Sequence, residues 1–144
     1  MASNTITLKS AIEKRRSIYA LAAESTIPDS KIQEIVTHAI LFYEDDEIVR
    51  EFSDKFKTYA SRFPGWSEQT NGMHQYAIWT ALESEGLGVN LQHYNPLIDV
   101  RLQTEWDIPE SWALKAQMVF GKLTGTLDEK TFKPIEERVI MHGK

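Results

Sequence analysis

The sequence predicts an α+β fold, helix-dominated, in a single domain spanning residues 1–144. Three observations lead there. Apolar residues recur at i, i+3 and i+4 through several segments, the mark of amphipathic helices. Leu114, Ala116, Met118 and Phe120 alternate with Lys115, Gln117 and Val119, the period of a half-buried strand. No internal repeat and no linker divides the chain.

Taken in order, Thr7 is placed to N-cap a first helix whose Leu8, Ala11 and Ile12 share one face and which runs into Lys14-Arg15-Arg16-Ser17. Ser30 and Gln33 stand in capping-box positions before a stripe of Ile32, Ile35, Val36, Ala39 and Ile40, a second helix. Leu41-Phe42-Tyr43 reads either as a short buried strand or as the continuation of that helix, because no turn residue separates them. Asp45 or Asp46 can cap a third helix carrying Ile48, Val49, Phe52, Phe56, Tyr59 and Phe63, stopped by Pro64-Gly65. A fourth, Glu68 to Ser84, is apolar nearly all round from Tyr76 to Leu82, which predicts central burial. Gly86-Leu87-Gly88 ends it and Val89 to Leu91 form a brief strand. Pro96 opens a short helix reaching Trp106, Ile108 to Trp112 turn, and Pro134 to Met141 form a helical turn or an extended tail.

Composition narrows the function. Hydrophobic residues are 42% and charged residues 26%, ordinary globular usage, and a chain of 144 residues suffices for a real core. No apolar run is long enough to cross a membrane, and Met1-Ala2-Ser3-Asn4-Thr5 lacks the layout of a signal peptide, so the expected compartment is the cytoplasm, with the nucleus as an alternative. Absence of cysteine removes disulfides, thiolate metal sites and a cysteine nucleophile. A net charge of -5 argues against broad binding to nucleic acid or to an anionic membrane, both of which need a basic face. His38, His74, His93 and His142 show no paired metal-ligand spacing, so no metal site is expected. Nucleophile-elbow, phosphate-loop and dinucleotide fingerprints are missing too. Glu83-Ser84-Glu85 reads as a solvated acidic helix end.

Lys14-Arg15-Arg16-Ser17-Ile18-Tyr19 is chemically sharper. Two guanidiniums and a hydroxyl at a helix end can grip a phosphate through charge-assisted hydrogen bonds. Basic residues in a last helical turn are also favoured by the macrodipole, so the residues alone leave both readings open.

The helix followed by Arg15-Arg16-Ser17 resembles the opening of nitroreductase-family flavoproteins. Trp66-Ser67-Glu68-Gln69, Asn71-Gly72-Met73, Trp79-Thr80-Ala81-Leu82-Glu83 and Glu85-Gly86-Leu87-Gly88 are similar to a short branch of that family found in fungi and bacteria. So are Leu91 to Ile98, Ile108 to Trp112 and Phe132 to Val139. The resemblance implies helices around a small antiparallel or mixed sheet. It also implies FMN as cofactor, NAD(P)H as reductant, a homodimer, and hydride transfer through flavin N5 to a nitroaromatic, quinone or similar small-molecule acceptor. In that reading the chemistry is borne by the flavin and no side chain is catalytic.

Arg15, Arg16 and Ser17 would hold the FMN phosphate, with Lys133 and then Lys130 as its second contact. Glu85, Gly86, Leu87 and Gly88 would approach the isoalloxazine ring through backbone groups, and Phe63, Trp66, Trp79 and Tyr94 would line the acceptor pocket. Without the resemblance Gly86 and Gly88 serve equally as a helix cap, Lys133 as surface and the aromatics as core. Family members carry, after the helix ending near Ile40, a loop of the type Pro-Ser-x-x-Asn-Ser-Gln that bonds the flavin ring. No position here corresponds to it, which implies an internal shortening of the sheet. A second reading therefore stands beside the enzyme: a shortened homologue that folds without flavin and acts only by association.

Overall fold

The computed structural model describes residues 7–14, 18, 20–22, 28, 41–126 and 128–143. Within them the chain runs α1 (Leu8–Lys14), β1 (Leu21–Ala22), β2 (Leu41–Asp45), α2 (Asp46–Lys55), a 3-10 helix (Lys57–Arg62), α3 (Phe63–Ser84), β3 (Gly88–Gln92), α4 (Asp99–Trp106), β4 (Trp112–Leu123) and a short 3-10 helix (Ile135–Glu137). The helix expected over Ser30 to Ile40 and the residues Arg15, Arg16 and Ser17 lie outside the described residues.

The sheet is small and antiparallel, and β4 is its spine. β2 pairs along the first half of β4, β3 along its middle and second half, and β1 at its C-terminal tip. Leu41 to Tyr43 are strand, which settles the choice left open above: Leu41 sits opposite Gln117 and Phe42 opposite Ala116. Between Phe42 and Tyr43 the register slips, so that Lys115 is the extra residue of a β-bulge. The slip breaks the simple alternation of β4. Ala116 and Met118 join the core with Phe42, whereas Leu114, buried as well, stands outside that cluster.

The core lies between the sheet and the C-terminal half of α3. Leu82, Val89 and Ala116 are fully enclosed, with Leu87, Met118, Phe42, Ile78 and Trp79 packed around them. Each large apolar side chain so buried contributes roughly 1.5–3 kcal/mol. Central burial of the fourth helix is thus realised only in its second half, since Trp66, Met73 and Tyr76 remain exposed.

Three boundaries differ from the sequence expectation. Pro64-Gly65 opens α3 instead of stopping the preceding helix, because proline in a first helical turn loses no intrahelical hydrogen bond. What the periodicity read as one helix to Phe63 is α2 followed by a 3-10 segment. Pro96 does not open α4 either. It follows a cis bond from Asn95 in the turn before it, and the helix starts at Asp99. The Thr7 cap comes out as read, and of Asp45 and Asp46 it is Asp45 that caps, while the capping box at Ser30 and Gln33 lies outside the described residues. The Thr7 hydroxyl accepts the Ser10 N–H at 3.2 Å, and the Asp45 carboxylate accepts from Glu47 at 3.0 Å and Ile48 at 3.4 Å. Among the described residues no helix is long and apolar enough to cross a membrane.

Candidate functional site

At the C-terminal end of α3 the glycine turn is built by a Schellman cap. The Leu87 N–H donates to the Leu82 carbonyl at 3.2 Å and the Gly86 N–H to the Glu83 carbonyl at 3.0 Å, while Glu85 N–H donates to Leu82 at 3.1 Å. Gly86 takes φ +81°, the left-handed conformation such a cap requires, and the place where its Cβ would stand has nothing within 4 Å. Leu87 plugs the core and is 1% exposed. Gly88 has a different task. A Cβ there would lie 2.6 Å from Leu21 Cδ2 and 3.3 Å from Ile18 Cδ1 and Leu123 Cγ, so the absence of a side chain lets the N-terminal segment lie against β3 without displacing the Leu21 side chain.

That segment is held by main-chain bonds, Ile18 N–H to the Val89 carbonyl at 2.9 Å and Thr124 N–H to the Ala20 carbonyl at 3.1 Å. The residue that follows Arg15-Arg16-Ser17 is therefore anchored one residue beyond Gly88. Lys130, half-buried, and Lys133, exposed, stand on the stretch that leaves β4 at this same end. The four residues expected to line an acceptor pocket do not converge. Phe63 and Trp66 share one aromatic cluster, with ring centroids 5.4 Å apart in an edge-to-face pair. Trp79 is a core residue, 6% exposed, and Tyr94 is 52% exposed beyond β3, its N–H donating to Gln117 Oε1 at 2.8 Å.

The aromatic cluster continues through Phe52 and Phe56, whose rings lie 5.9 and 6.0 Å from that of Phe63, and Tyr59 packs 6.2 Å from Trp66. Beside it opens a cleft of about 860 Å³ between β2, α2 and α3, walled by Tyr43, Ile48, Val49, Phe52, Asn71 and His74. A smaller cleft of about 310 Å³ adjoins it, bordered by Asp46, Arg50, Glu68, Glu110 and Lys115, and Glu44 and Val49 belong to both.

Glu44 is the residue that sequence reasoning missed. Its side chain is 6% exposed, Oε2 lies 3.4 Å from Lys115 Nζ, and Oε1 is buried with no hydrogen-bond partner among the described residues. The signal was present: Glu44 stands two residues from Phe42, in the register that faces the core, where a carboxylate is costly to bury. Lys115 escaped because the bulge, which periodicity does not show, sets it between paired positions.

Two further groups on β2 are tuned by their surroundings. Burial raises the Tyr43 phenol above its ordinary value, the negative charge of Asp99 adds to this, and its hydroxyl has no partner among the described residues. Burial also pushes Asp45 up, but hydrogen bonds from the Glu47 and Ile48 N–H groups and from the Ser111 and Trp112 side chains outweigh it and hold the carboxyl below the usual range.

No family model matches the chain. Two curated Saccharomyces cerevisiae proteins do, HBN1 at 40% identity and the nitroreductase FRM2 at 38%, each over 94 residues that make up 65% of this chain and 48% of the relative. The chain thus spans about half the length of the curated relatives it matches. Among solved structures, the nitroreductase CinD from Lactococcus lactis in complex with 4-nitrophenol superposes with a TM-score of 0.86 at 31% identity, covering 95% of this chain and 100% of that one. An FMN-bound nitroreductase from Desulfitobacterium hafniense shares the fold, with a TM-score of 0.56 at 12% identity over 96% of this chain and 100% of that one.

Proposed function

The chain belongs to the nitroreductase family, and from that premise we propose that it is an FMN-dependent oxidoreductase passing reducing equivalents from NAD(P)H to a nitroaromatic, quinone or similar small-molecule acceptor. The observation that carries the proposal is the likeness to CinD along 95% of the chain. When bound, FMN supplies the hydride chemistry.

The chain's own residues bind and shield. Arg15, Arg16 and Ser17, with Lys133 and then Lys130 as a second contact, would hold the phosphate by charge-assisted hydrogen bonds. Gly86 fits the face of a flat ring, because the space beside its Cα is open. Its N–H and those of Glu85 and Leu87 are already given to the α3 cap, so the turn offers the ring a surface and not amide donors. Phe63 and Trp66 present aromatic faces on which a planar acceptor can stack, excluding water as it does so. The assembly we propose is a homodimer of single-domain protomers. Its support is the set of exposed apolar side chains Trp66, Trp106, Phe132, Ile140 and Met141, which a second protomer would cover.

A second reading has an observation of its own in its favour: the spent amides of the glycine turn suit a shortened homologue that folds without flavin and works as an association partner. One measurement separates the two. Purified protein is expected to carry a visible flavin spectrum, or to acquire it on adding FMN, and to release FMN on denaturation. Colourless protein that also fails to take up added FMN sinks the enzyme. If flavin binds, replacing Arg15 and Arg16 together by Ala is expected to weaken its retention at least tenfold, and unchanged affinity refutes the phosphate assignment.

A further inference from the structure

The paired clefts on the helical side of β2 have a chemistry of their own. Glu44 sits where they meet. Its carboxylate is almost wholly enclosed, and among the described residues only one of its oxygens has a partner, the Lys115 ammonium at 3.4 Å. A buried carboxylate oxygen without a donor is costly, and a ligand that brings one recovers that cost. The smaller cleft around it is acidic in balance: Asp46, Glu68 and Glu110 stand against Lys115, already beside Glu44, and Arg50, whose Nε is committed to the Asp46 carbonyl at 3.2 Å. The larger cleft supplies the apolar part, with Ile48, Val49 and the Phe52 ring along α2 and Tyr43 and His74 across from them. Its volume of about 860 Å³ is ample for a ligand of one or two rings.

We infer that these clefts form a binding site for a small planar aromatic cation, such as an aryl amidinium or arylammonium. The ring lies in the larger cleft against Val49 and Phe52, and the charged N–H group reaches Glu44 Oε1 at the junction. A planar amidinium suits the site because it presents two N–H donors to one carboxylate edge and keeps an apolar ring behind them. Cations also gain from an aromatic face such as Phe52. An aromatic anion of the same shape meets Glu44, Asp46 and Glu68 with the wrong sign. The site stands on residues at the Trp112 end of β4, whereas Gly88 pairs with Gly121 near the other end, so it is separate from the glycine turn.

The test is titration of the full chain, as purified, with benzamidine as probe and benzoate as its anionic counterpart, followed by amide chemical shifts. Benzamidine is expected to bind in the millimolar range or tighter and to shift the amides of Ile48, Val49 and Thr70, leaving Gly86 unmoved, while benzoate binds at least tenfold more weakly. Glu44→Gln is expected to weaken benzamidine about tenfold. Lys115→Met, which removes the competing cation, is expected to tighten it several-fold and to raise the thermal shift the probe produces. The two variants thus move affinity in opposite directions, which a fold merely loosened by mutation does not do. Equal binding of benzoate, shifts centred on Gly86, or an affinity untouched by Glu44→Gln overturns the assignment.

Discussion

The two ends of β4 solve the same problem, how a short sheet meets a long helix, in opposite ways. At the Gly121 end the meeting is made by backbone. Gly86 supplies a left-handed φ, Gly88 supplies the absence of a side chain, and the amides of residues 85–87 are all spent inside the cap. At the Trp112 end it is made by side chains. Asp45 caps α2 and accepts the Trp112 Nε1–H at 3.2 Å, Asn71 donates to the Tyr43 carbonyl at 3.2 Å, and Glu44 is left half-satisfied beside Lys115. The difference decides where ligand chemistry can reside. A junction whose hydrogen bonds are closed offers shape, and one with an open buried acceptor offers chemistry.

The largest expected effect breaks the backbone end. Gly88→Val drives a branched side chain into Leu21, Ile18 and Leu123, and the cost expected for overpacking is about 1–3 kcal/mol in urea unfolding. Released N-terminal contacts should appear as faster amide exchange at Ile18. A stability equal to the parent's would show that the close approach of Ile18 and Leu21 to β3 is not a constraint.

At the side-chain end Asp45→Ala is expected to lower Tm by a few degrees at neutral pH, through loss of the α2 cap and the Trp112 contact. The sign of its pH dependence follows from the native carboxyl being held below its ordinary value. The stabilisation is full above the unfolded carboxyl value of about 3.9 and fades as pH falls below it through the native one. Parent and variant should therefore converge in acid. A gap that widens there would contradict the hydrogen-bonded carboxylate.

The smallest effect is a control lying between the two ends. Gly72 stands inside α3 with nothing within 4 Å of a prospective Cβ, so Gly72→Ala is expected to stabilise by roughly 0.5–1 kcal/mol, read as a higher urea midpoint. Destabilisation instead would mean that the exposed face of α3 around Trp66, Met73 and Tyr76 is covered in solution, as in a dimer whose helices approach closely at that glycine.

The sequence by itself determined the class of the fold, the caps at Thr7 and at the Asp45-Asp46 pair, the strand through Leu114 and Met118, and the family, because these rest on local periodicity, on cap chemistry and on stretches of matching residues. Tertiary structure alone decided that Leu41 to Tyr43 pair with β4, that Pro64 begins a helix, and that Trp79 belongs to the core. The reason is that strand partners, and the side of a helix that meets the sheet, are set by residues distant in the chain. It also decided the pairing of Glu44 with Lys115. A single extra residue in β4 brings those two charges to one cleft, and a one-residue slip in register leaves no trace in a pattern whose period is two.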